Sequence, residues 1–449
     1  MASMDRREAA DLVVVGGSVA GLVTAIAAAD HGHRVVLLER AKELGGGAAT
    51  VAESIAAAGT RFQRVADVAD EPARLLADLA DYTHDDADAA LARALVPQSG
   101  ALVEWLADRC GAPIALQSTK PAGGHTAARL HAVGDQGGAT LAGILARAAS
   151  HHTHVRLRTL TEAERLLVDE SGGVVGVAVR PDRRGGTMVA GPVVLACGGF
   201  AADDTLVAQH RPELAAIPYL GPSGAKGDAL RLASPTGAAV RHLDACAVTA
   251  LLAQPSHLAV PRVVMELGGI LVSQRGERFI DESIDALSLA RGIRAQAGGL
   301  AYVIFDEKVA AAAGANDPFF ARVILPRTAR RAGSLTMLAK QLSLAESGLV
   351  ATLDACNATR TTNRLEPPLY GVRVTSARTA TRGGLATDDG GRVLGAEGAP
   401  IPGLYAVGTA AAGLTRPDGN EGLEGIDPLV TLGLARLAAL GLAPITEET

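Results

Sequence analysis

The residues Val13-Val14-Val15-Gly16-Gly17-Ser18-Val19-Ala20-Gly21 join an apolar run to a glycine turn, and a second apolar run, Val35-Val36-Leu37-Leu38, ends on Glu39. Those residue types at that spacing can hold a dinucleotide. Gly16 permits a tight turn, small residues at Gly17 and Ser18 let a pyrophosphate approach the backbone, and Gly21 lets the next helix pack closely on the strand. The helix start offers N–H groups and a partial positive charge to phosphates. Glu39 can accept hydrogen bonds from both ribose hydroxyls. Ser18 stands where the pattern carries its second glycine, and a ligand-free strand–helix turn would use the same glycines. The flanking strand, the Ala-rich helix Leu22–Ala29 and the placing of Glu39 favour a dinucleotide, and hence redox chemistry.

The elements that must position these residues alternate in α/β style. Leu44-Gly45-Gly46-Gly47-Ala48-Ala49 forms a second glycine loop that could lie along a diphosphate. Residues 71–109 are polar, Ala-rich and helical in period, and Gly137-Gly138 precede a helix over 139–149. Strands are expected at 155–157, 164–168 and 174–179, then at Val193–Ala196, which ends on Gly198-Gly199. Gly224–Asp228 leads into another helix. From about Val248 the style changes, with a hairpin pairing Gly269–Val272 and Arg278–Ile280 around Arg275-Gly276, then several helices. After Pro367-Pro368 the glycine-rich style returns, with a strand at 403–408 and a last helix after Asp427-Pro428.

Composition narrows the class. With 449 residues the chain can hold roughly two or three domains. A net charge of −6, with no basic cluster interleaved with aromatics, gives no reason to expect nucleic acid or anionic membrane as partner. Cys110, Cys197, Cys246 and Cys356 are scattered, with no CxxC pair and no metal or haem spacing, so no metal is expected and the compartment is read as cytoplasmic. The first strand begins too early for a signal peptide. The apolar stretch 426–442 contains Asp427, Pro428 and Arg436, which reads as a buried helix and not a membrane span.

Several separated motifs agree on one family. The glycine turn with Glu39, Leu195–Phe200, Gly224–Asp228, Gly268–Val272, Gly276–Phe279, Gly383-Gly384-Leu385 and Pro402–Gly408 together resemble the flavoproteins that include fumarate reductase, succinate dehydrogenase and the 3-ketosteroid dehydrogenases. The resemblance implies a bipartite, Rossmann-like FAD-binding domain (1–247 and 367–449) with an inserted α+β capping domain (248–366) that carries the substrate. Its expected FAD contacts are Gly16, Ser18, Val19, Ala20, Gly21, Glu39, Arg40, Gly46, Gly47, Ala48, Ala49, Ala196, Gly198, Asp228, Gly408, Thr409, Gly425 and Ile426. Covalent members carry a histidine in the second glycine region. Ala49 takes that place here, so noncovalent FAD is expected.

The departures matter for substrate. The family's fumarate enzymes use arginines and histidines on two carboxylates, with an arginine as proton donor. The matching positions here are Gln254, Ala286, about Ala380 and about Asn420. Burying a dianion without cations costs several kcal/mol, so fumarate and succinate are poor candidates. The steroid enzymes' tyrosine at the Ala286 position is missing too. In Glu421-Gly422-Leu423-Glu424-Gly425 the resemblance implies a backbone donor at Gly425 for a substrate carbonyl, and Glu421 replaces a tyrosine. Glu421 is then either the proton-transferring base or an exposed loop carboxylate. Asp285 is a second candidate base or a solvated helix-start residue. His125 reads as a surface histidine or one lying behind the site, Arg278 as a structural partner within the cap, Arg382 and Arg416 as surface cations or replacements for the lost ones, and Trp105 as packing. His151, His152 and His154 read as a solvated turn.

The expected activity is oxidation or reduction of a carbon–carbon bond beside a carbonyl, in a cyclic ketone, with a small-molecule substrate and an unspecified electron acceptor or donor. Two alternatives remain: a flavin oxidase of an amine or alcohol, and a non-catalytic FAD-binding or electron-transfer protein.

Overall fold

The computed structural model describes residues 6–47, 54–80, 86–121, 124–134, 137–182, 185–415 and 423–442. Two compact units result, one formed by Met1–Pro212, Gly221–Cys246 and Ala380–Thr449, the other by Glu213–Leu220 and Ala247–Thr379.

The first unit is built on a six-stranded sheet in the order Arg392–Leu394, Pro400–Ala406, Val193–Leu195, Leu12–Val15, Val35–Leu38, Val155–Arg158. All neighbours run parallel except the antiparallel edge pair Arg392–Leu394 and Pro400–Ala406. Continuous Val and Leu runs make its central strands because both faces are covered. Leu12–Val15, Val35–Leu38 and Val193–Leu195 are buried throughout. The helix Val19–Asp30 is rich in alanine and packs on the last helix, Ile426–Leu440, where the Thr24 hydroxyl reaches the Ala435 carbonyl at 3.2 Å. Small side chains allow that approach, so the core needs few aromatics. A second sheet runs Arg6–Ala9, Gly185–Ala190, Val174–Asp182, Ala163–Val168, and a three-stranded one runs Ile55–Ala56, Leu130–Val133, Ile114–Leu116.

The second unit is α+β. Its sheet order is Cys246–Ala253, Leu369–Thr381, Ala301–Asp306, Ile270–Val272, and Arg330–Ala332 also pairs with Leu369–Thr381. The chain returns to the first unit at Ala380 instead of 367, because Leu369–Asp306 and Val374–Ala301 pairings bind the long strand to this sheet. The short segment Glu213–Leu220 also belongs here, held by the Arg378 guanidinium on the Ile217 carbonyl at 2.8 Å. The expected hairpin over 269–280 is corrected. Ile270–Val272 pairs with Tyr302–Ile304, and only a single bridge, Val272 to Arg278, closes the turn. The strand is fully buried and needs a partner of its own length. Among the described residues no helix is long and apolar enough to cross a membrane.

Candidate active site

The parallel strands of the first unit end at Val15, Leu38, Leu195 and Ala406, so their following loops gather along one edge. That edge is where such sheets bind ligands. Gly16 has φ +112°, and a Cβ there would lie 2.5 Å from the Ala196 carbonyl oxygen. A Cβ on Gly21 would lie 2.0 Å from the Gly16 oxygen, so only glycine lets the helix start this close to the turn. Ser18 is the helix N-cap. Its hydroxyl donates to the Ala196 carbonyl at 2.8 Å and accepts from Gly21 N at 3.3 Å, joining two loops. A glycine at that position could do neither.

Glu39 accepts from Gly17 N and from Ala41 N, each at 2.7 Å. An ionised carboxylate has about four acceptor sites, so two remain for ribose hydroxyls. The second glycine loop lies beside the first, with Gly45 N donating to the Gly17 carbonyl at 2.7 Å, and a Cβ on Gly46 would lie 3.2 Å from Ser18 Cβ. A Cβ on Gly47 would lie 2.7 Å from Pro222 Cγ. Ala48 and Ala49 lie outside the described residues. Arg40 is spent on Asp228 at 2.7 Å and on the Gly224 carbonyl at 2.6 Å. These two expected contact residues therefore brace the Gly224–Asp228 turn against the end of Val35–Leu38. Gly198 has φ +86°, Gly199 N donates to Thr409 Oγ1 at 3.1 Å, and a Cβ on Gly408 would lie 2.9 Å from Ala20 Cβ. Val19 and Ala20 open the first helix.

That same Cβ on Gly408 would lie 3.7 Å from Thr431 Cγ2 of the last helix. At 1.5 Å per residue, Gly425 stands about 9 Å further along. A ligand touching both the Gly408 loop and that helix start spans at least about 9 Å, which an extended FAD does. The helix start is open. Gly425 caps it at φ +77° without a side-chain cap, Ile426 N turns back to the Leu423 carbonyl, and Gly425 N has no acceptor among the described residues. The Gly425 carbonyl accepts from Ala56 N at 3.0 Å, and a Cβ would lie 2.7 Å from that nitrogen, so glycine is required. Asp427 in the first turn is paired with Arg382 at 2.9 Å. The cradle of bare backbone and unspent donors fits FAD.

The remaining candidates separate clearly. Glu421, with Asn420 and Arg416, lies outside the described residues. Asp285 is the N-cap of the helix Ala286–Arg294, accepting from Ser288 N at 2.9 Å. Burial raises its pKa, but hydrogen bonds from Ser288 and the neighbouring backbone outweigh this and hold it below the usual carboxylate range. A spent, acidic carboxylate is a poor base, so the structure gives Asp285 a structural role. Arg278 pairs with Glu282 within the second unit, and Glu282 also accepts from Leu271 N at 2.7 Å. Trp105 is half-buried under the Arg436 guanidinium, 5.8 Å from the ring centre. His151 and His154 are exposed, while His152 reaches Asp30 at 3.1 Å.

His125 is not on the surface. It is 7% exposed, and its Nε2 lies 2.7 Å from the Glu424 carbonyl oxygen. Beside it is a group that patterning missed. Arg129, fully buried, donates to Asp70 at 2.9 Å and to Asp78 at 2.8 Å. Gln63 donates to Asp70, and Thr126 donates to Asp78 through both N and Oγ1. No local spacing announces a network whose members lie this far apart in the chain.

Residues 11–426 match the model of the FAD binding domain family. The chain belongs to this family. It is 30% identical over 444 residues to the fumarate reductase (cytochrome) of Shewanella frigidimarina, covering 94% of this chain and 75% of that protein. It is 29% identical over 421 residues to the NADH:fumarate oxidoreductase of Klebsiella pneumoniae, covering 90% of this chain but only 44% of that protein's length. The 4-oxocyclohexanecarboxylate 2-dehydrogenase of Sinomonas cyclohexanicum is 27% identical, over 95% of this chain and 92% of that protein. Among solved structures, the open conformation of a flavocytochrome c3 fumarate reductase superposes with a TM-score of 0.81 at 26% identity, covering 96% of this chain and 78% of the other. The 3-ketosteroid-Δ4-(5α)-dehydrogenase from Rhodococcus jostii RHA1 shares the fold, with a TM-score of 0.70 at 24% identity over 97% and 98% of the two chains. The expected kinship is met, with fumarate reductases in sequence and with ketosteroid dehydrogenases in fold. The chain is an FAD-dependent oxidoreductase.

Proposed function

We propose that this oxidoreductase acts on a carbon–carbon bond next to a carbonyl, desaturating a cyclic ketone or reducing the conjugated alkene, and that fumarate is not its substrate. The observation that carries the reading is the open helix start at Gly425, whose N–H has no acceptor among the described residues. A carbonyl oxygen that gains negative charge in the transition state is stabilised by such a donor, and losing one typically costs about 3–4 kcal/mol. The positive end of the last helix adds to that field. Gln254, Ala286 and Ala380 supply no cation where the fumarate enzymes' carboxylate ligands are expected. The named substrate of the Sinomonas relative, a cyclic ketone that also carries one carboxylate, supports the ketone part of the reading.

FAD, when bound, supplies a hydride acceptor or donor. The chain supplies the rest. Gly16, Ser18, Gly21 and Glu39 hold the adenosine diphosphate end, and the loops at Gly198 and Gly408 line its path. Gly425 N–H polarises the carbonyl, which makes the proton on the adjacent carbon acidic. Glu421 is proposed as the base that takes this proton, on its position four residues before Gly425. With Ala49 in place of an attachment histidine the flavin is proposed to be noncovalent, so acid precipitation should release it completely. Cys110, Cys197, Cys246 and Cys356 form no disulfide, which suits a reducing, cytoplasmic setting. The decisive experiment is anaerobic mixing of the FAD-loaded protein with substituted cyclohexanones, amines, alcohols and succinate. Bleaching by a cyclic ketone with a new conjugated double bond in the product supports the proposal. Bleaching by amines or alcohols alone refutes it.

A further inference from the structure

The Glu424 carbonyl and the Gly425 N–H are the two ends of one peptide unit. That unit is planar, and in the trans form its C=O and N–H point in opposite directions. Whatever holds the carbonyl therefore aims the N–H. The group that holds it is His125, through Nε2 at 2.7 Å. A carbonyl only accepts, so Nε2 carries the proton and Nδ1 is a bare acceptor. That Nδ1 is buried and has no partner among the described residues. Leaving a buried acceptor unmade is unfavourable, and an apolar side chain at 125 would avoid it. The imidazole is better explained by what Nε2 does.

We infer that His125 is a positioning residue for the carbonyl-binding donor: it fixes the Glu424–Gly425 peptide so that the Gly425 N–H points at the substrate oxygen. The inference rests on the carbonyl-site reading above. A hydrogen bond at one end of a peptide also polarises the other end, which strengthens the donor. The anchor behind His125 is rigid. The next residue, Thr126, is tied through N and Oγ1 to Asp78, which is paired with the buried Arg129. On the other side of the turn the Gly425 carbonyl is held by Ala56 N at 3.0 Å. Burial pushes the imidazole pKa down against the pull of the Glu424 carbonyl, which keeps the ring neutral.

His125→Gln and His125→Asn separate this role from simple packing. Glutamine can place an N–H where Nε2 stands, while asparagine is too short to reach the Glu424 carbonyl. The probe is 4-nitrophenol, whose phenolate oxygen imitates the charged oxygen of an enolate, titrated into the FAD-loaded protein by difference absorbance. Nitrobenzene, which lacks that oxygen, serves as the control. His125→Asn is expected to weaken phenolate binding at least about tenfold, with nitrobenzene binding and FAD content unchanged, and His125→Gln is expected to restore most of the loss. If wild type binds phenolate and His125→Asn binds it equally well, the role of His125 is overturned while the carbonyl site stands. If wild type binds phenolate no better than nitrobenzene, the carbonyl-site reading falls and takes this inference with it. Should His125→Asn not fold, equal phenolate binding by His125→Gln and wild type supports the inference, and a tenfold loss in His125→Gln overturns it.

Discussion

Replacing Glu39 by alanine should do more than remove a ribose contact. Its two carboxylate oxygens accept from Gly17 N and Ala41 N, each at 2.7 Å. Hydrogen bonds to a charged group contribute about 1.5–3 kcal/mol each. The Ala41 side is exposed, where water can take over, so the protein without FAD should lose about 2–3 kcal/mol of unfolding free energy. Most of that loss belongs to the Gly17 bond, which braces the glycine turn. The FAD complex should lose more, because the ribose hydroxyls lose their acceptor as well. A further loss of about 1.4–2.8 kcal/mol corresponds to a tenfold to hundredfold weaker affinity. Urea unfolding without and with FAD, together with titration of flavin fluorescence, measures the two parts separately. Glu39→Gln sharpens the test. Its amide oxygen can serve one N–H, but its NH2 group then faces the other, donor against donor. With the amide oxygen on Gly17 N and water relieving the exposed Ala41 side, it should cost the FAD-free protein clearly less than alanine does. A Glu39→Ala protein that unfolds like wild type without FAD would refute the bracing argument, and unchanged FAD affinity would refute the ribose assignment.

Three further outcomes are expected. Arg129→Leu should cost about 3–5 kcal/mol in urea unfolding, because Asp70 and Asp78, with side chains 0% and 6% exposed, lose their shared cation; a cost below about 1 kcal/mol would mean the carboxylates are satisfied without it. His125 and His131 have pKa values depressed by burial, in surroundings that contain Arg129, Asp70, Asp78 and Glu104. Both must stay neutral in the folded protein, so their contribution is fully present above an unfolded pKa of 6.5 and is lost as pH falls from there through the lower folded values. The melting temperature should fall on acidification through that range, and a flat profile would contradict the burial of these rings. Succinate should not bleach the flavin and fumarate should not reoxidise it at a useful rate, and rapid turnover of either would place a cationic site that the neutral positions do not reveal.

How far the sequence could be read depended on whether the signal was local. The strand–turn–helix at Leu12–Asp30 is a local pattern, and its Val runs, glycines and alanine-rich helix were legible because each residue type answers a constraint met within a few residues. Ser18 looked like a departure, and only the structure shows its hydroxyl joining Ala196 and Gly21. Glu39 was expected as a ligand for ribose but not as a brace, since its bond to Gly17 crosses from one loop to another. The Gly269–Ile280 hairpin failed because the buried strand Ile270–Val272 takes a distant, fully buried strand, Ala301–Asp306, as its partner. Asp285 was legible as a helix-start residue, and the structure adds its N-cap bond from Ser288 N. The roles of His125 and Arg129 were not legible. Their burial depends on Glu424, Asp70 and Asp78, which no pattern of spacing connects to them.

The relatives named for fumarate share the scaffold, and charge decides whether they also share the substrate. Two carboxylates entering a site need about two cations that are not already neutralised. Arg382 is a cation close to the helix start at Gly425, and its Nε donates to both oxygens of Asp427 at 3.1 and 2.9 Å. The pair has no net charge. To serve a substrate carboxylate, Arg382 would have to release Asp427. That carboxylate would then stand in the first turn of the same helix, where it is stabilised by the helix field and repels an incoming anion. A neutral carbonyl meets no such opposition. It needs one donor, and the proposed one, Gly425 N, can act without disturbing the ion pair. The same arrangement makes a direct electrostatic distinction: Asp427→Asn should remove a negative charge from beside Arg382 and improve the binding of carboxylate-bearing ligands more than that of neutral ketones. Equal effects on both, measured by flavin difference absorbance, would show that Arg382 does not face the ligand.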